Sequence, residues 1–300
     1  MPTQTFKIAV TGGAGLVGSA VVQQALSDGH TVVAIDLPPI GKISAQDRYT
    51  YASADLTDFD AFLASAKGCD AVIHLAALYN RPGQEIPEHM VHNKNTAMSY
   101  NALCVAVKLK IDRVVLASSI NSIGMLYSQH PHFDYLPVDE KHPFYPEDAY
   151  SLSKYFVELQ SDSFARKYPS MRIATLRFHF VVSPETLSRE SLHANGPGWK
   201  DLWGWVSAKS TARSCLLALT VTEDRFPSGH ETFFIVAPTT SQQSSTMDLV
   251  RDRYPDIKDF RREITGNMGL FNCAKAEQML GWTEEGFEWI PEGQGGVSGG

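Results

Sequence analysis

The sequence predicts an α/β fold: a doubly wound parallel sheet with a small lobe built from the carboxyl-terminal part of the chain. Three observations carry this. The apolar run Ile8-Ala9-Val10 breaks into the glycine turn Thr11-Gly12-Gly13-Ala14-Gly15-Leu16-Val17-Gly18 and opens a helix. From residue 6 to residue 178, short apolar runs alternate with helical stretches, the rhythm of parallel strands joined by crossovers. Beyond Pro184 the chain turns polar and rich in Gly, Pro and Trp, with short helices and one further strand.

In the first unit, Gly12 permits a tight turn, Gly15 lets a ligand approach the backbone, and Gly18 lets the helix pack closely on the sheet. The free N–H groups and positive pole of that helix suit a pyrophosphate. Val21, Val22, Ala25 and Leu26 continue the apolar helix face, and Thr31–Ile35 reads as the second strand. Asp36 closes it, 24 residues after Gly12, where an acid accepts the ribose hydroxyls of NAD and repels the extra phosphate of NADP. The pattern is that of a Rossmann-type dinucleotide site. The alternatives are a glycine turn without a ligand and an Asp36 that only caps a loop; Lys42 or Arg48, after Asp36, keeps NADP open.

Tyr49–Leu56 reads as a third strand, and Thr57-Asp58 caps the helix that follows. Cys69–Ala77 is a fourth strand whose end, Leu75-Ala76-Ala77, leaves room for a cofactor; His74 within it reads as structural. Asn95–Lys108 is a helix, and Arg113–Ser119 a fifth strand ending in two serines. A long connection, Gly124–Pro146, leads through Glu147-Asp148 into a helix at Tyr150–Lys167, and Arg172–Phe178 is the sixth strand. Trp199, Trp203 and Trp205 form a lid or pack between lobes. Ala208–Leu219 is helical, Glu231–Ala237 is a strand able to rejoin the sheet, and Thr246–Tyr254 and Cys273–Leu280 are short helices. The expected division is a nucleotide-binding domain at 1–180, with 205–240 returning to its sheet. A small substrate-binding lobe takes 181–204 and 241–292, and 293–300 is a disordered tail.

Composition narrows the function. With 300 residues, 43% hydrophobic and 20% charged, the chain is ordinary globular protein. A net charge of −7 gives no electrostatic reason to bind nucleic acid or an anionic membrane. No apolar run approaches membrane-spanning length, and Met1–Phe6 does not read as a signal peptide. The four cysteines, Cys69, Cys104, Cys215 and Cys273, lack metal-ligand spacing and suit a reducing compartment. The expectation is a cytoplasmic protein with a small-molecule substrate, no metal, and neither nucleic acid nor membrane as partner.

Ligands of such sheets sit at the carboxyl ends of the strands. Thr11, Asp36, His74–Ala77, Ser118-Ser119 and Phe178–Val181 therefore line one crevice. Tyr150 and Lys154, at i and i+4, share one helix face. A phenol titrates near ~10 in water, but an ammonium and a positive nicotinamide both favour the phenolate. Tyr150 then takes a hydroxyl proton as hydride leaves the same carbon. Lys154 also holds the nicotinamide ribose, and Ser119 bonds the reacting oxygen.

With the glycine turn, Asp36, Asp55-Leu56, His74-Leu75-Ala76-Ala77, Asn95, Ser118-Ser119 and Tyr150 to Lys154 in place, residues 6–240 resemble an extended short-chain dehydrogenase/reductase of the epimerase/dehydratase-like branch. The resemblance implies catalytic roles for Ser119, Tyr150 and Lys154. It makes Asn95 the holder of a structural water in the proton relay, with Asn93 as competitor. It implies cofactor contacts at Gly12, Gly15, Leu16, Val17, Asp36, Asp55, Leu56, Leu75, Ala76, Ala77, Lys154, Phe178 and Val181. It also implies a homodimer through the helices Asn95–Lys108 and Tyr150–Lys167.

In Leu176–Pro184, Phe180 stands where nucleotide-sugar enzymes carry Asn, which speaks against a UDP- or dTDP-sugar. Ser118–Gly124 is more similar to the uronate dehydrogenase-like branch, yet the Asn-His pair expected there is Ile120-Asn121. Candidate substrate contacts are Tyr79, Arg81, Asn121, Ser122, His179 and Arg189, each with the alternative of a solvated loop residue; an arginine would suit a carboxylate. Three functions follow. The first is an NAD-dependent oxidoreductase acting on a secondary alcohol or carbonyl of a sugar or sugar acid. The second is an epimerase or dehydratase with tightly held NAD. The third is a non-enzymatic NAD sensor, against which the intact triad counts.

Overall fold

A computed structural model describes residues 4–37, 47–80, 83–182 and 198–284. The chain enters as β1 (Lys7–Thr11), passes the glycine turn into α1 (Leu16–Ser27) and returns as β2 (Thr31–Asp36). β3 (Tyr49–Ser53), α2 (Phe59–Ser65), β4 (Ala71–His74), α3 (Glu88–Leu109) and β5 (Arg113–Ser119) follow. A 3₁₀ turn (Ile120–Ile123) opens the long connection to α4 (Ala149–Lys167) and β6 (Arg172–Phe178). Next come β7 (Val181–Val182), β8 (Val206–Ser207), α5 (Ala208–Thr220), β9 (Gly229–Ile235), α6 (Thr246–Arg253) and α7 (Ala274–Leu280).

The main sheet runs β3-β2-β1-β4-β5-β6-β9 with every pairing parallel. This is the predicted Rossmann-type α/β fold. Strand order reverses beside β1, so a crevice opens at the carboxyl ends of β1 and β4. The strands are continuous apolar runs because helices cover both faces. On one face α1 and α5 bury Val10, Val22, Ala25, Leu176, Leu216 and Phe233. On the other, α2, α3 and α4 bury Ile35, Phe62, Leu103, Val114, Val157 and Ile173.

Asp58 caps α2 as expected, its carboxylate accepting the N–H groups of Asp60 and Ala61. α3 starts at Glu88, well before Asn95, because Glu88 to Lys94 is mostly polar and shows no apolar stripe to mark it. β4 ends at His74 and not at Ala77, since the chain there leaves the sheet to cross the glycine turn.

A third apolar cluster joins Ile123, Met125, Phe133, Leu136 and Val138 to Phe234, Val250, Tyr254, Leu270 and Phe271. Single bridges pair Leu136 with Phe260 and Val138 with Phe271. The connection 120–144 thus packs with the terminal segment and not only with the nucleotide half. Trp203 lies inside this cluster and Trp199 at its edge, which is packing between the two parts. Most of the polar stretch after Pro184 and the tail 293–300 lie outside the described residues. Among the described residues no helix is long and apolar enough to cross a membrane, and no group of three or more His, Cys, Asp or Glu is placed to hold a metal ion.

Candidate active site

The glycine turn is shaped by contacts with the β4 exit. Gly12 has φ +67°, and a Cβ there would stand 2.8 Å from the Ala76 nitrogen. Thr11 Oγ1 accepts the N–H groups of Leu75 (3.1 Å) and Ala76 (3.4 Å), which leaves its proton for His74 Nδ1 at 2.8 Å. His74 is therefore neutral with its proton on Nε2, and burial, with the Lys154 charge adding, lowers its pKa to about 3. Its role is structural, as the sequence suggests. A Cβ at Gly18 would collide with the Gly12 carbonyl. Gly15 differs: a Cβ there would meet only the Gly12 oxygen, at 3.3 Å, with open space beyond. α1 begins at Gly15 with no side-chain cap and no acid in its first turn. The N–H groups of Leu16, Val17 and Gly18 are thus left for an anion.

Asp36 stands at the rim of this turn, accepting Ala14 N–H at 3.0 Å and Leu37 N–H at 2.8 Å. Arg48 turns away from it: its guanidinium donates to the carbonyls of His30 (3.2 Å) and Leu26 (3.0 Å), at the opposite end of the sheet. It does not neutralise a phosphate near Asp36, and Lys42 lies outside the described residues. Asp55 is exposed, and hydrogen bonds from Thr57 hold its pKa below the usual range. The Leu56 side chain packs in the core, and its carbonyl accepts Asn101 Nδ2 at 2.9 Å. Leu75, Ala76 and Ala77 are half-buried at the crevice, Val181 is half-buried in β7, and Phe178 belongs to the core.

At the far side of the crevice, Asp148 caps α4 by accepting Ser151 N–H at 2.9 Å. Tyr150 falls in the first turn and Lys154 one turn on. Lys154 Nζ donates to the Ala117 carbonyl at 2.7 Å and lies 5.6 Å from the Tyr150 ring centre. Burial lowers the Lys154 pKa to about 8. Desolvation, with Tyr127 adding, raises that of Tyr150, while the nearby Ser119 hydroxyl acts the other way. Tyr127 and Tyr79 flank the Tyr150 ring at 5.5 and 6.2 Å between centres, and both are 38% exposed. Tyr79, a substrate-contact candidate from the sequence, is thus brought beside Tyr150. Tyr127 is no candidate contact from the sequence, although Met125-Leu126-Tyr127 extends the segment similar to the uronate dehydrogenase-like branch.

Several polar candidates are claimed by the protein itself. Asn95 accepts Leu78 N–H at 2.7 Å and donates to Leu78 O at 2.8 Å and Ser153 Oγ at 3.3 Å. It staples the β4 exit to α4. Asn93 lies on the outer face of α3, in a shallow groove with Tyr100 and Gln160. His179 donates from Nε2 to Asp201 O (2.8 Å) and accepts Phe180 N–H at Nδ1 (2.6 Å); it is buried, and desolvation lowers its pKa to about 4. Asn121 and Ser122 are buried too, Asn121 against Ser119. His179 and Asn121 are thus tied to protein groups, while the buried Ser122 hydroxyl has no hydrogen-bond partner among the described residues. Arg81 and Arg189 lie outside the described residues.

One supporting pair escaped the sequence reading. Arg177 is clamped between the rings of Phe144 and Phe234 and bonds Glu158 through two nitrogens, at 2.9 and 2.7 Å. Ser118 Oγ donates to the same carboxylate at 2.6 Å. Glu158, one turn after Lys154, thereby locks α4 to β5 and β6. Its spacing from Lys154, equal to that of Lys154 from Tyr150, is the signal that could have found it.

The family model described as NAD dependent epimerase/dehydratase matches residues 8–195. A Methanocaldococcus jannaschii protein assigned as UDP-glucose 4-epimerase is 34% identical over 177 residues, 58% of this chain and 55% of that protein. L-arabinose 1-dehydrogenase (NAD(P)(+)) of Haloferax volcanii is 30% identical over 188 residues, 60% of this chain and 68% of that one. The chain spans about half the length of the first of these relatives. The structure of a short-chain dehydrogenase/reductase superfamily protein from Agrobacterium tumefaciens, with bound NAD, shares the fold with TM-score 0.69 at 22% identity. That match covers 94% of this chain and 93% of the other.

Proposed function

The chain belongs to the NAD-dependent epimerase/dehydratase family, and on that premise we propose that it is an oxidoreductase acting on a secondary alcohol or carbonyl of a sugar or sugar acid. The observation that carries this is the meeting of Ser119, Tyr150 and an anchored Lys154 beside the glycine turn. The residues at the turn fit NAD. The open face of Gly15 and the uncapped α1 N–H groups take the pyrophosphate, Asp36 takes the adenine-side ribose, and no cation beside Asp36 among the described residues suits NADP. When bound, NAD supplies the hydride acceptor and a positive ring near Tyr150. Tyr150 removes the substrate hydroxyl proton, Lys154 favours the phenolate by charge, and Ser119 donates to oxygen.

Phe180, 44% exposed in the place of a diphosphate-contacting Asn, supports a dehydrogenase of free sugars over an epimerase of nucleotide sugars. The Methanocaldococcus relative favours the second reading, in which the same triad returns the hydride before release. A cytoplasmic homodimer completes the proposal; Met90 and Tyr100 on α3 and Phe156 and Leu159 on α4 are exposed apolar side chains available to a second copy.

The test is formation of reduced nicotinamide from NAD with a panel of sugars, sugar acids and secondary alcohols. Turnover should fall by roughly 10²- to 10⁴-fold in Tyr150→Phe, the share of a positioned acid/base, with NAD binding retained. Interconversion of UDP-sugars without net NADH, lost in the same variant, would instead support the epimerase.

A further inference from the structure

Ser119 ends β5, and its hydroxyl is governed by one neighbour. The Asn121 backbone N–H donates to Ser119 Oγ at 3.1 Å, and Asn121 Nδ2 donates to the same atom at 3.3 Å. The amide is held in this orientation because its Oδ1 accepts Leu126 N–H at 2.8 Å. A serine hydroxyl offers two acceptor positions and one proton. With both positions filled, the proton is all that remains, and α4, which carries Tyr150, packs against the 3₁₀ turn that follows Ser119, so the proton is left for that side.

We propose that Asn121 is a positioning residue that commits the Ser119 hydroxyl to donating toward Tyr150 and the reacting oxygen, giving that contact one fixed direction. The catalytic consequence rests on the oxidoreductase reading above; the orientation itself is a property of the protein. Neutral Tyr150 finds no acceptor in Ser119, so its own proton is left for the substrate oxygen. Ionised Tyr150, an acceptor only, meets a donor already in place. In alcohol oxidation the hydroxyl proton passes to the Tyr150 oxygen while the hydride leaves the same carbon for the nicotinamide. Ser119 keeps its own proton throughout. A serine free to rotate would instead accept from the substrate hydroxyl and stabilise the ground state.

Asn121→Asp tests this with little change of shape. One carboxylate oxygen still accepts Leu126 N–H, while the other offers Ser119 an acceptor and draws its proton from Tyr150. The variant also adds a charge, so it is made in the wild-type and Ser119→Ala backgrounds. Around Tyr150 the other titratable groups are Lys154 and Asp148 at its helix, Tyr127 from the connection and Tyr79 from the β4 exit. They are common to both backgrounds and cancel in the comparison.

Tyrosinate absorbance is titrated in NAD-saturated protein, with Tyr150 identified by Tyr150→Phe, and the pH profile of turnover is taken beside it. The Tyr150 ionisation should move up by about one pH unit in Asn121→Asp, with about tenfold less turnover below it. With Ser119 already alanine, most of that shift should vanish. Asn121→Ala, which removes only the side-chain donor, gives the same readout with a smaller shift if the aspartate variant does not fold. An unmoved titration, or an equal shift without Ser119, would overturn the proposal. A serine-dependent shift in a protein that turns over nothing on the panel would keep the orientation and refute the activity.

Discussion

Gly15→Ala separates a glycine kept for a ligand from one kept for the fold. The backbone at Gly15 is extended, with φ −71° and ψ 171°, and an added Cβ would meet only the Gly12 oxygen at 3.3 Å. Two small effects oppose each other without cofactor: a weaker helix cap, about 0.5–1 kcal/mol, and a less free unfolded chain, about 0.4–1 kcal/mol. Stability should change by less than about 1 kcal/mol. The same Cβ projects into the ground before the α1 N–H groups. Losing one charge-assisted hydrogen bond to the pyrophosphate there is worth about 1.5–3 kcal/mol, a roughly 10- to 150-fold weaker affinity. Urea denaturation with and without NAD reads both. NAD at a hundred times the wild-type Kd stabilises wild type by about 2.7 kcal/mol and should stabilise the variant by only about 0.3–1.4 kcal/mol. Gly12→Ala is the contrast. At φ +67° and 2.8 Å from backbone it should lose at least about 1–2 kcal/mol before any cofactor is added. Full NAD stabilisation of Gly15→Ala, or its collapse without NAD, would refute the reasoning.

Three further outcomes follow from the same geometry. Arg177→Met leaves the Glu158 carboxylate buried and uncompensated and should cost about 3–5 kcal/mol in urea denaturation; adding Glu158→Leu should recover part of it. The Lys154 pKa is lowered from 10.5 to about 8 by burial. The unfolded chain therefore binds the extra proton between those values, so this lysine's contribution rises as pH climbs from 8 toward 10.5 and is lost on return. Lys154→Met should lack that rise, and equal pH–stability curves would count against it. Tyr100→Asp, on the exposed face of α3, should halve the mass seen in sedimentation if that face joins two copies, and leave it unchanged otherwise.

Legibility in the sequence followed burial. Arg113–Ser119 and Arg172–Phe178 match their strands end to end because helices on both faces demand unbroken apolar runs. The start of α3 was hidden because its first turns are mostly polar and lack a periodic apolar face. Tyr150 and Lys154 were readable from helical spacing and from their place after the serine strand. The choice of partner by polar side chains was not readable. His179 lies at the crevice end of β6 as expected, yet its proton goes to a carbonyl at Asp201, a contact made by tertiary packing. Asn95 and Asn121 were likewise well placed along the chain, and each is claimed by backbone nearby in space.

The third apolar cluster bears on the order in which the protein becomes competent during synthesis. The strands that shape the dinucleotide turn, β3, β2, β1, β4 and β5, are all made by residue 119. The connection from Ser119 toward α4 packs largely against residues between Leu202 and Phe271. A chain folding as it emerges, amino terminus first, therefore acquires the grip on its cofactor early. The packing that fixes the connection beside Tyr150 arrives with the last third of the polypeptide, so that shaping the dinucleotide turn and fixing that wall are separated in the life of each molecule.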